Sequence, residues 1–87
     1  MHEIQLEELH ALIDSVSDQL QETTVSLAHE MVDANESAIA IDMVSEMLFE
    51  RDARLSKETL DRFDRVVDAM GLQVETADRL RPLTGNA

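Results

Sequence analysis

Two short stretches of this chain combine residue types that could bind a metal. In Glu7-Glu8-Leu9-His10 a carboxylate and an imidazole stand three residues apart, the step that sets both as ligands on one helical face in di-iron bundles. Such a site needs a second Glu-x-x-His step and two further facing carboxylates. The chain has no second step, so His10 reads as a surface residue. Asp33, Asn35 and Ser37 reproduce the first three ligand positions of a calcium loop, but Ala38 stands where the loop's sharp turn needs Gly and Val44 where it needs a bidentate Glu. Calcium binding is rejected on that ground. His2, His10 and His29 have no nucleophile set beside them by sequence, and no glycine-rich loop is present to cradle phosphate. Catalysis is not expected, and neither a cofactor nor a metal ion is called for.

Composition narrows the partners. The chain has 87 residues with 19 acidic and 7 basic side chains, a formal charge of -12. A nucleic-acid binder needs clustered Lys and Arg to displace counterions, so nucleic acid and anionic membrane surfaces are excluded and a basic protein is the expected partner. Cysteine is absent, which removes disulfides and thiolate zinc sites. Only two aromatic residues, Phe49 and Phe63, are present, too few for a base-stacking platform or an aromatic cage. The N-terminus shows no cationic segment leading into an apolar run, and a cytoplasmic location is expected. Monomer and homodimer are equally compatible with these features.

The elements that carry these residues read as helices. The first 70 residues contain neither Gly nor Pro, while Leu, Met, Ala, Glu and Asp recur at helical spacing. An all-α fold follows: a compact bundle of four main helices plus a short C-terminal helix, one domain over 1–83 with a tail at 84–87. Leu6, Leu9, Ile13, Val16 and Leu20 form the stripe of the first helix, widened by Leu12, with Glu3, Glu7, His10, Asp14 and Asp18 opposite. A break falls within 16–24, with Thr23 or Thr24 as possible N-caps, and the two segments read equally as separate helices or as one bent helix. Leu27, Ala28, Met31 and Val32 define the second segment. Asp33 and Glu36 fit a capping box that opens a third, central helix over about 36–51, whose apolar positions Ile39, Ala40, Ile41, Met43, Val44, Met47 and Leu48 cover more than half its circumference. Ser56 is the N-cap of a fourth helix and Gly71 its left-handed stop, with Leu60, Phe63, Val67 and Met70 inward. Glu58 with Arg62 and Asp61 with Arg65 stand at ion-pair spacing on its outer face. A last helix spans about 74–80 and ends before Pro82.

Charge is divided unevenly along these helices. Residues 1–50 hold 12 acids and no Lys or Arg, while 51–87 hold 7 acids and 7 bases. Asp42, Glu46 and Glu50 follow at four-residue steps as an acidic ridge, with Phe49 on the same side. Each like-charge pair at this spacing costs roughly 0.2 to 0.5 kcal/mol, which a cationic partner would offset. The plain reading is a solvated face kept for solubility. The sharper reading is an interface, since an apolar anchor ringed by charge concentrates binding energy. The sequence also allows Phe49 to tuck against the first or fourth helix.

Two families resemble parts of the chain. Acyl carrier proteins are acidic helical chains of similar length that bear a cofactor on a Ser at the start of their second main helix, and Asn35-Glu36-Ser37-Ala38 is similar to that site. Glu36-Ser37-Ala38 would stand for the family's Asp-Ser-Leu, without its preceding Gly, while Asp14-Ser15-Val16 is closer in type and far too early. That resemblance implies modification on Ser37. The stretch 33–72 resembles small bacterial immunity proteins of the MafI type and related polymorphic-toxin systems. Asn35-Glu36, Ala40 and Asp42, Leu48-Phe49-Glu50, Leu55-Ser56 with Glu58, and Met70-Gly71-Leu72 carry the likeness, while Phe49 replaces a customary Tyr and Ser37-Ala38 a customary Gly or Pro. It implies a non-enzymatic antitoxin that binds a cognate toxin, often a nuclease, in the cytoplasm of the producing cell. Asp42, Glu46, Phe49 and Glu50, with Asp33 and Glu36, are the expected contact residues, and reversing Asp42 and Glu46 to Lys is expected to spare the fold. An acidic helical adaptor or regulator is the further alternative.

Overall fold

A chain without Gly or Pro in its first 70 residues must stop its helices with other residue types. The computed structural model describes residues 4–85. Among them are α1 (Leu6–Ser15), α2 (Glu22–Asp33), α3 (Ser37–Glu50), α4 (Lys57–Met70) and a single-turn α5 (Glu75–Asp78), with 3₁₀ turns at Ser17–Gln19 and Arg81–Thr84 and no strand. The chain is thus an all-α bundle of four main helices with a short C-terminal one, and α1 and α2 are separate helices.

Three helix ends share one device. Asn35 after α2, Asp52 after α3 and Gly71 after α4 take left-handed φ values of 66°, 54° and 67°. The residue that follows each donates its N–H five residues back: Glu36 to Met31, Ala53 to Leu48 and Leu72 to Val67, at 2.8, 3.0 and 2.9 Å. The left-handed residue itself donates three residues back, to Val32, Phe49 and Asp68 respectively. These paired bonds satisfy carbonyls that the helix would otherwise leave bare. Asn and Asp are the residues other than Gly that visit this conformation most readily.

The stop at Asn35 overturns the capping box. Asp33 is the last residue of α2, and Glu36 occupies the N-cap position of α3 with no side-chain cap bond. Likewise α2 starts behind Gln21, so neither Thr23 nor Thr24 caps it. Ser56 does cap α4, accepting the Thr59 N–H at 3.0 Å.

The core follows the apolar stripes. Leu9, Leu12, Ile13, Val16 and Leu20 are buried against Ala28 and Val32 of α2, Ala40, Ile41, Val44 and Leu48 of α3, and Leu60, Phe63 and Val66 of α4. Each large aliphatic side chain so buried is worth about 1.5 to 3 kcal/mol. α3 packs on α1, α2 and α5 and is the central helix. Leu6, Leu27 and Ile39 depart from the expectation at 51%, 44% and 56% exposed, Ile39 lying about half a turn from Leu48. Met43 and Met47 are half-buried against the core.

The α3 to α4 connection is tied down by Gln19. Its side-chain amide accepts the Arg54 N–H at 2.7 Å and donates to the Arg54 carbonyl, while Arg51 Nε donates to the Gln19 carbonyl at 3.0 Å. The Leu55 N–H donates to the Leu83 carbonyl at 2.9 Å, drawing the C-terminus onto the same loop. α5 is shorter than the expected 74–80. It ends before Pro82 as expected, and Pro82 itself sits in the last 3₁₀ turn, whose Leu83 is buried. Of the expected tail, Thr84 belongs to that turn, and 86–87 lie outside the described residues. Glu58 with Arg62 and Asp61 with Arg65 form no ion pairs among the described residues, and Arg65 instead reaches Glu8 of α1.

If left-handed stops set the helix ends, their residue type controls stability. Gly71→Ala should lower it by about 1 kcal/mol, although nothing lies within 4 Å of the added methyl. Asn35→Gly and Asp52→Gly should each raise it by about 0.5 kcal/mol. Urea unfolding of the three variants measures both signs.

Candidate protein-binding surface

The N-terminal half holds no Lys or Arg, so its carboxylates must find cations elsewhere or go without. Glu8 takes Arg65 from α4. Asp33 of α2 accepts from His10 Nε2 of α1 at 2.9 Å, and Asp14 of α1 accepts from His29 Nε2 of α2 at 2.8 Å. Asp42 and Glu46 of α3 share Arg79, which follows α5, at 3.4 and 4.0 Å. Glu7, Asp18, Glu22, Glu30, Glu36 and Glu50 form no ion pair among the described residues. Glu3 and His2 lie outside them.

The outer side of α3 brings four of the expected contact residues together. At 100° per residue Phe49, Asp42, Glu46, Ile39 and Glu50 fall within an arc of about 100°. Phe49 is 51% exposed, so it does not tuck into the bundle. Ile39, missed as a surface residue in the sequence, stands on the same arc about 15 Å from Phe49 along the axis. The missed signal is its register: it falls opposite Val44 and Leu48, the positions that must be buried. Glu36 is exposed one turn before Ile39, where its charge complements the positive end of α3. Glu50 closes the helix at the negative end, with no basic residue in the last turn.

Asp42 has a second engagement. It is half-buried and its Oδ1 accepts from the Thr76 hydroxyl at 3.1 Å. Ser45, fully buried beneath it, donates to the Thr76 carbonyl. Together with Arg79 these contacts seat α5 on α3, and Arg79 Nη1 is buried there without a hydrogen-bond partner. Asp33 is held by His10. The members of the expected set presented on this face without a partner among the described residues are therefore Phe49 and Glu50, joined by Ile39, with Glu36 at the helix start and Glu46 exposed at 4.0 Å from Arg79.

Other features were weighed as sites. Ser37 is the first residue of α3 and half-buried. The shallow groove between α4 and α5, lined by Val67, Asp68, Leu72, Val74 and Ala77, is crossed by Arg81. That guanidinium donates to Asp64 at 2.8 and 3.2 Å and to Asp78 at 2.9 Å, bonds that raise its pKa above the ordinary arginine value. Among the described residues no cluster of three or more His, Cys, Asp or Glu could hold a metal ion. No described helix is long and apolar enough to cross a membrane.

No protein-family model matches the chain, and neither a curated protein nor a solved structure matches it.

The two acidic residues shared by Arg79 should respond differently to reversal. Asp42→Lys deprives the Thr76 hydroxyl of its acceptor and sets a cation beside Arg79, and should lower stability by about 1 to 3 kcal/mol. Glu46→Lys, on an exposed side chain, should stay within about 0.5 kcal/mol of the parent. Thermal unfolding separates the two, and the single variant at Glu46 is the one that spares the fold.

Proposed function

We propose that this chain is a non-enzymatic binding protein, an antitoxin of the immunity type, that neutralises a basic toxin domain, a nuclease by preference, through the outer face of α3. One observation carries the reading: Ile39 and Phe49 stand more than half exposed on the same face as Glu46 and Glu50. Exposed large apolar side chains cost solubility in a monomer and are the usual anchors of an interface when charge surrounds them. The charge selects the partner. A nuclease must be basic to hold nucleic acid, and a carboxylate-rich helix can occupy that surface in place of phosphates. The resemblance of 33–72 to immunity proteins of the MafI type supports the same assignment.

Division of labour on this face follows from chemistry. Glu46 and Glu50 act at long range, raising the rate of encounter with a cationic surface and making it dependent on salt. Phe49 and Ile39 act at contact, where desolvation of an aromatic ring and a branched aliphatic side chain slows dissociation. Asp42 positions α5 and borders the face.

The neighbouring upstream gene is expected to encode a secreted protein with a basic C-terminal toxin domain, and co-expression with this chain should restore growth. Against that domain Phe49→Ala should weaken binding by about 2 kcal/mol, roughly 30-fold. Glu46→Lys with Glu50→Lys should slow association and flatten its salt dependence, with an unchanged circular dichroism spectrum. Full protection by both variants would remove this face from the mechanism.

A further inference from the structure

His10 of α1 and His29 of α2 form, with Asp33 and Asp14, a linear chain of four side chains. His10 Nδ1 meets His29 Nδ1 at 2.5 Å. The outer nitrogens, Nε2 of each ring, reach Asp33 Oδ1 at 2.9 Å and Asp14 Oδ1 at 2.8 Å. The arrangement has an internal symmetry: each helix carries His-x-x-x-Asp, and antiparallel packing pairs each His with the Asp of the other helix. Ring centroids lie 4.7 Å apart with planes inclined by 23°. That separation is the nitrogen contact plus the radii of two five-membered rings, so the imidazoles meet edge to edge rather than face to face.

Proton counting restricts this chain. An ionised carboxylate only accepts, so both Nε2 atoms must carry hydrogen. With no further proton the two Nδ1 lone pairs would point at each other. With two further protons two N–H groups would collide. One further proton gives N–H···N between the rings and satisfies every atom. A metal ion cannot take that place, since zinc stands about 2.0 to 2.1 Å from each imidazole nitrogen and needs a wider gap.

We infer that His10 and His29 share one proton between their Nδ1 atoms, and that this makes the α1–α2 contact a pH-responsive clasp. The surrounding charge has the sign a shared proton needs. Glu7 and Asp14 lie one turn to either side of His10 on α1, and Asp33 lies one turn from His29 on α2. Arg65 of α4 is held by Glu8, and α3 makes no ion pair with α1 or α2 among the described residues. Both imidazole side chains are 27% exposed, enough to exchange protons with water.

The sign of the pH effect comes from linkage. In the unfolded chain two independent imidazoles, with an ordinary pKa of about 6.5, bind two protons well below that pH and none well above it. The clasp binds one throughout. Below about pH 6.5 the unfolded state binds more protons and stability rises with pH; above it the unfolded state binds fewer and stability falls as pH rises. The clasp's contribution therefore peaks near pH 6.5, and the folding equilibrium constant drops by up to about tenfold per pH unit on either side.

Urea unfolding of the full chain between about pH 5 and 8, against the double variant His10→Gln with His29→Gln, tests this window. The difference between the two stability curves should be a peak near the middle of the range. A difference that climbs or falls steadily across it overturns the shared proton, since the pair would then be doubly neutral or doubly charged. A second variant, Asp14→Asn with Asp33→Asn, keeps both rings but lets an amide donate to Nε2, and should flatten the peak. A persistent peak in that variant would overturn the role of the carboxylates. Ring-nitrogen NMR of the unmodified chain does not depend on any variant folding. Both Nε2 atoms should be protonated and both Nδ1 resonances should lie between the protonated and bare positions. A bare Nε2, or a spectrum altered by EDTA, overturns the proposal.

Discussion

An N-terminal half that carries 12 carboxylates and no Lys or Arg cannot neutralise itself, and the placement of the helices answers to that constraint. Long-range charge repulsion among α1, α2 and α3 opposes the packing that their apolar stripes demand. The answers come from outside the segment or from a different chemistry. α4 sends Arg65 to Glu8, and Arg79 after α5 reaches Asp42 and Glu46. Between α1 and α2 the carboxylates of Asp33 and Asp14 are met by imidazole N–H groups instead. The C-terminal helices thus complete the core and also supply counter-charge, which explains why a one-turn helix is seated by a buried Ser45, a buried Thr76 and a guanidinium in succession.

Burial and charge together leave α3 with two unlike sides. Its inner side meets α1, α2 and α5 through Ala40, Ile41, Val44 and Leu48. The outer side cannot be neutralised by the bundle, because Arg79 covers only the edge near Asp42 and Glu46. A solvated acidic face would account for the carboxylates alone. Ile39 and Phe49 stand 56% and 51% exposed on the same arc.

Periodicity made the bundle legible. The core residues of α1, α3 and α4 follow from three- and four-residue steps, and Ser56 and Gly71 are read directly as cap and stop because their residue types have one structural use each at those places. The other stops were not legible for a physical reason: Asn35 and Asp52 are ordinary in helices, in turns and at caps, and only the bond pattern around them shows which role they take. The same ambiguity misplaced Asp33, whose partner is a His 23 residues away in sequence. Ion pairs written at four-residue spacing on α4 gave way to a bond from Arg65 to α1, since tertiary partners outbid a weak exposed pair within one helix. Phe49 is exposed rather than tucked against the first or fourth helix, whereas the engagement of Asp42 with Thr76 needed a helix that sequence places only roughly.

Helix polarity separates the acidic residues still further. α1, α2 and α3 all end with a carboxylate in their last turn and no basic residue there, which sets negative charge against the negative end of the helix dipole. At α1 and α2 the offence is met inside the molecule: Asp14 and Asp33 each receive an imidazole N–H from the opposing helix. At α3 it is not met. Glu50 has no ion pair among the described residues, and Arg51, next in sequence and well placed to answer it, instead donates Nε to the Gln19 carbonyl. Of these three ends, α3's is the one where the closing carboxylate has no partner among the described residues, and it also exposes Phe49, so a cationic surface arriving there would relieve the dipole, the like-charge spacing from Glu46 to Glu50 and the exposed ring in a single contact.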